Sequence, residues 1–128
     1  MTFVDTNYFL RFLLRDNEEQ YSTSRTLFEK GILGKEKLFT SIIVFFEINW
    51  VLSSFYAIRK EKCISLLKKI LRMNYIAFEF NDLMQKAIEI YKNTSLDLED
   101  SFNLVYAKEW KASSFATFDE KLKKQFKK

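Results

Sequence analysis

The sequence predicts an α/β fold in which a parallel sheet is covered on both faces by helices. Two observations predict it. Four short β-prone runs alternate with helical patterns along the chain, and no repeat, linker or second domain interrupts the alternation. With 128 residues, 48% of them hydrophobic and 14 of them Phe, the chain is long enough to bury a real core, which sets the expectation of a single domain over 1–128.

In order, Thr2 to Asp5 is a short extended start, and Asp5-Thr6-Asn7 breaks into the helical Tyr8 to Leu14. Asp16 to Glu19 reads as a second cap before the helix Tyr21 to Ile32, with Leu27 and Phe28 facing inward; Gly31 and Gly34 punctuate its end. Leu38 to Ser41 is a second strand. From Ile42 a buried helix runs to about Tyr56, followed by a charged break at Arg59 to Lys62 and an amphipathic helix to about Met73 that aligns Ile64, Leu67, Ile70 and Leu71. Tyr75 to Phe80 alternates as a third strand. Asn81-Asp82 caps a helix from Leu83 to Tyr91, Asn93 to Ser95 ends it, and Leu96 opens the next, which runs to about Lys111. Ser114 to Thr117 is the fourth strand, and Asp119 begins a last, lysine-rich helix.

Composition narrows the chemistry. One cysteine, Cys63, forms no internal disulfide, and the absence of histidine removes the ligands of a zinc site and any base that would activate the thiol. The compartment expected is reducing and cytoplasmic. No charged-then-apolar leader precedes the first element, and the longest apolar run, Ile42 to Leu52, is too short to span a membrane and contains Glu47. A net charge of +4, from 21 basic and 17 acidic residues, attracts a polyanion without naming one.

Against this basic whole stand a few acids in apolar settings. Asp97 and Asp100 lie one helical turn apart in LDLEDSFNLVY, Asp97 as an N-cap and Asp100 as the partner in a capping box. Asp5 ends the first strand and Asp119 follows the fourth, where each also suits a helix cap. Glu47 differs: it interrupts an apolar helix with no Lys or Arg between Lys37 and Arg59, so a buried carboxylate there needs a partner unless it escapes to solvent at the helix edge. In a parallel sheet the crevice lies beyond the carboxyl ends of the strands. Acids converging there repel one another unless a cation is present, and Mg2+ or Mn2+ suits an all-oxygen ligand set. Such an ion lowers the pKa of its bound water and serves hydrolysis without histidine.

The segments FVDTNYFLRFLLRD, SIIVFFEINWVLSSFY, LDLEDSFNLVYAKEW and FATFDEKL, in that order, resemble the PIN-domain ribonucleases, in particular the toxins of VapC-type toxin-antitoxin pairs. The likeness covers nearly the whole chain. It implies a three-layer α/β/α sandwich with a central parallel sheet of four to five strands, an Mg2+- or Mn2+-dependent endoribonuclease, a homodimer and an inhibiting antitoxin protein. It also implies that Asp5, Glu47, Asp100 and Asp119 are the catalytic and metal-binding acids, that Asp97 is accessory, that Thr117 supports Asp119, and that Thr6 or Asn7 orients Asp5. Ser101 stands where members often have a small apolar residue.

Arg11 and Arg15, one turn apart, suit an RNA rim, whereas the cluster Lys121, Lys123, Lys124, Lys127 and Lys128 reads as a solvated end. Trp50, Trp110 and most phenylalanines are expected in the core. A second function on the same scaffold is a noncatalytic module that binds RNA or protein through its crevice. A phosphoacceptor domain fits less well, since it needs acids clustered after the first strand and a late lysine at a strand end.

Overall fold

Three parallel strands and seven helices follow from the alternation of β-prone and helical segments, in a computed structural model that describes residues 1–128. The chain divides into two compact units, Met1–Glu79 and Phe80–Lys128. No helix is long and apolar enough to cross a membrane.

The first unit holds the sheet. Strands β1 (Thr2–Phe3), β2 (Leu38–Phe39) and β3 (Ile76–Ala77) pair in parallel in the order β1-β2-β3, with Thr2 opposite Leu38 and Leu38 opposite Ile76. Helices α1 (Thr6–Leu14) and α2 (Glu18–Ile32) connect β1 to β2; α3 (Ile42–Trp50) and α4 (Lys60–Leu71) connect β2 to β3. Phe28 anchors the α1–α2 pair, its ring 5.7 Å from Phe9 and 5.0 Å from Phe12, edge-on to the latter. Leu52, Cys63 and Leu67 are fully enclosed, and burial pushes the Cys63 thiol up, away from the thiolate.

The long helix expected from Ile42 to Tyr56 changes its winding partway. Val51–Phe55 forms a π-turn in which the Tyr56 N–H donates to the Val51 carbonyl at 3.1 Å, and Ala57 then takes a left-handed φ of 52°. The third strand is shorter than Tyr75 to Phe80 because the chain turns at Glu79 and Phe80.

The second unit is helical, with α5 (Asn81–Asn93), α6 (Leu98–Glu109) and α7 (Glu120–Lys127). Its core includes Leu96, Leu104 and Leu122, flanked by Ile90, Phe115 and Phe126. Here the expectation of four to five strands fails. Ser114 to Thr117 alternates exposed and half-buried residues as a strand would, but joins no ladder, so the sheet has three strands. Trp50 and Trp110 also depart from expectation, at 64% and 73% exposure: Trp50 lies on the outer side of α3, and Trp110 is the C-cap residue just past α6.

Gly31, in the last turn of α2, is required by close approach: a Cβ there would sit 2.6 Å from Leu38 Cδ1 and 3.1 Å from Tyr75. Gly34 is required by its backbone, with φ 73° in open space. Urea unfolding should therefore show Gly31→Ala destabilised by about 1–3 kcal/mol through overpacking, and Gly34→Ala by about 1–2 kcal/mol through left-handed strain.

Candidate active site

Asp5 is placed by the sheet. Strand β1 ends against β2, where the Thr40 hydroxyl donates to the Val4 carbonyl at 2.8 Å and the Val4 N–H donates to Phe39 at 2.8 Å. The next residue is Asp5, at the N-cap of α1 on the carboxyl edge of the sheet. Its side chain is exposed and accepts no capping bond, so the helix-cap reading of Asp5 does not hold. Thr6, buried behind it, has a hydroxyl with no hydrogen-bond partner, and Asn7 is exposed; neither holds Asp5 by a hydrogen bond.

Glu47 is on α3, whose N-cap Ser41 accepts from the Val44 N–H at 3.4 Å. The buried side of the helix is Val44, Phe45, Ile48 and Asn49. Glu47 faces solvent, with Ile43 and Trp50 exposed on the same helix. The expectation that its face is buried is thus corrected. Its charge needs no internal counterion because water solvates it. Asn49 is the polar group actually enclosed on α3, and its Oδ1 lacks a partner.

In the second unit Asp97, Asp100 and Asp119 come close enough to feel one another. Asp97 caps α6, its Oδ1 accepting from the Asp100 N–H at 2.7 Å, and the buried Ser101 hydroxyl donates to the Asp97 carbonyl at 2.7 Å. Asp119 caps α7, its Oδ1 accepting from Leu122 N–H at 3.1 Å, while the Asp119 N–H donates to Thr117 Oγ1 at 3.1 Å. Both cap readings hold, and each cap leaves the second carboxylate oxygen outside the capping bond. Ser101 braces the first turn of α6, a use of the hydroxyl that a small apolar residue lacks.

Partial burial, the charges of Asp97 and Asp119 and a hydrogen bond shared with Asp97 push the Asp100 carboxyl above its usual range. Glu99, an acid on the same turn that no motif singled out, is also pushed up, by desolvation and by the charges of Asp97 and Asp100, although its side chain is exposed. None of these four acids forms an ion pair, although α7 is rich in lysine. In neither unit do three carboxylates stand in a finished ligand array. The donor chemistry nevertheless fits a hard divalent cation: the side chains brought near Asp100 offer carboxylate oxygens only, and the charges of Asp97 and Asp119 bear on it.

Arg11 and Arg15 are both committed within the first unit. Arg11 donates to Gln20 at 2.6 Å, to both Asp16 oxygens at 3.1 Å and to the Tyr56 hydroxyl at 3.0 Å, and that hydroxyl donates to Asp16 at 3.0 Å. Partial burial opposes ionisation of Asp16, but the bonds from Tyr56 and Arg11 prevail and hold its carboxyl below the usual range. Arg15 pairs with Glu18 at 3.0 Å and lies 4.3 Å over the Tyr21 ring. Gripping a phosphate with either guanidinium would compete with these pairs.

The family model of the PIN domain matches residues 2–127. The chain belongs to the PIN-domain family. No curated protein and no solved structure matches it. PIN domains are commonly nucleases, a class of hydrolase, and those nucleases typically use divalent metals.

Asp100 supplies a pH test of this PIN domain. With its folded pKa raised, it contributes stability that is full below the unfolded value of about 3.9 and is lost as pH rises through the folded value. In thermal melts without divalent cations, Asp100→Asn should melt above the parent at pH 7, an advantage that shrinks toward pH 4.

Proposed function

We propose that this PIN domain is a metal-dependent endoribonuclease that hydrolyses RNA phosphodiester bonds, and that it is the toxin of a type II toxin-antitoxin pair acting in the cytoplasm. The observation that carries the nuclease reading is that the charges of Asp97 and Asp119 both bear on Asp100, with none of the three in an ion pair. The toxin reading is supported by the order of the four quoted segments, and it entails a cognate antitoxin protein. A homodimer is favoured by the exposed Ile43, Trp50 and Phe55 of the first unit.

On this reading Asp5, Glu47, Asp100 and Asp119 are the residues that would hold Mg2+ or Mn2+. When bound, the ion supplies hydroxide at neutral pH and offsets charge on the departing oxygen. The remaining work falls to the chain. Asp97 fixes the start of α6 through the Asp100 N–H, and Thr117 fixes the backbone at Asp119. Partial burial and the charges of Asp97 and Asp119 hold the Asp100 carboxyl above its usual range, and a bound cation would offset that crowding of negative charge. The net charge of +4 draws the RNA backbone toward the protein.

One observation favours a noncatalytic module instead: Asp97 and Asp119 are both already engaged as helix caps. RNA binding without turnover, surviving substitution of all four acids, would establish that reading. The nuclease reading predicts cleavage of single-stranded RNA with Mg2+ or Mn2+, abolished by EDTA. Asp5→Asn and Asp100→Asn should each lower kcat/KM by about 100-fold or more, the scale expected when a group holding a catalytic ion is lost. Intact RNA in both metals would refute it.

A further inference from the structure

A cavity of about 290 Å³ opens between α1 and α2, lined by Asn7, Tyr8, Arg11, Gln20, Thr23 and Ser24. Its position matters because Asn7 is in the first turn of the helix whose N-cap is Asp5. Much of the hydrogen-bonding capacity around it is uncommitted. The Asn7 amide and the Ser24 hydroxyl make no bond to protein, and Gln20 uses its Oε1 to accept from Arg11, leaving Nε2 with no protein acceptor. Thr23 donates to the Glu19 carbonyl at 3.1 Å and keeps its oxygen as an acceptor. Arg11 uses Nε and Nη1 and keeps the Nη2 hydrogens.

We propose that this cavity is a nucleobase subsite, which reads one base of the RNA beside the position where Asp5 works. The inference rests on the nuclease reading for its substrate, and three physical features select a base. First, the lining mixes donors and acceptors, as the edge of a base requires. Second, its single cation is neutralised: Asp16 holds Arg11 at 3.1 Å, so the cavity lacks the net positive charge that a phosphate needs. Third, the reading groups are already in place. Asp16 and the Tyr56 hydroxyl hold Arg11, and Arg11 holds Gln20, so little side-chain freedom remains to be lost on binding. The Tyr8 ring at the rim, 37% exposed, offers a face for stacking.

The test titrates the full-length chain with each of the four ribonucleosides and, separately, with inorganic phosphate, following the side-chain amide signals of Asn7 and Gln20 by NMR. RNA cleavage is measured in parallel. The expected result is selective shifts of these amides by one nucleoside, with affinity reduced about tenfold in Gln20→Leu and in Ser24→Ala, the loss of about one hydrogen bond each. Ser24→Ala keeps the fold intact by size and leaves the Arg11 bonds untouched. Shifts produced by phosphate but by no nucleoside would overturn the proposal, as would indifference to all five probes. A chain that cleaves RNA without nucleoside shifts keeps its nuclease assignment and loses the subsite. One that binds a nucleoside at these amides while leaving RNA intact keeps the subsite and loses the nuclease assignment.

Discussion

Like charge held close without a counterion is the constraint on which the second unit turns. Two helices begin at aspartates, Asp97 and Asp119, and their placement brings both charges to bear on Asp100. Capping alone explains why Asp97 and Asp119 are there. It does not explain Asp100, whose carboxyl caps nothing, is partly withdrawn from water and is held above its usual pKa. A neutral Asn would be easier to keep at this position. An acid crowded by like charge is what the proposed cation site would require at this position.

In the first unit it is the sheet that positions the acid. A parallel ladder of two-residue strands is short, and side-chain bonds reinforce it; the Thr40 hydroxyl on the Val4 carbonyl fastens the end of β1 next to the start of α3. Asp5 follows directly, with its carboxylate left out of the cap. Away from the sheet, Arg11, Asp16, Gln20 and Tyr56 lock the α1–α2 pair to the end of the π-turn. These four residues convert what would be a surface arginine into a fixed part of the scaffold.

Local features were legible in the sequence. The caps at Asp97 and Asp119 hold because each needs only a backbone N–H three residues away, and a helix is found in each segment expected to be helical, although the one from Ile42 gives way to a π-turn at Val51. Features decided at long range were not. Ser114 to Thr117 has the alternation of a strand, but a ladder depends on a partner that local spacing does not reveal. Ile42 to Leu52 is apolar on nearly every side, so its periodicity did not say which face would be buried; Glu47 and Trp50 turned out to face water. Arg11 looked free because Tyr56, one of its partners, lies 45 residues away. Asp5 shows the reverse error, a locally ideal cap whose side chain makes no capping bond.

The proposed function stands or falls on whether these carboxylates bind a divalent ion. Paramagnetic line broadening by Mn2+ tests it most directly. The account predicts that signals of Asp5, Glu47, Asp100 and Asp119 broaden at one common Mn2+ affinity, recover on addition of excess Mg2+, and fail to broaden in Asp100→Asn. Broadening confined to scattered surface acids, or unchanged by that substitution, would contradict it.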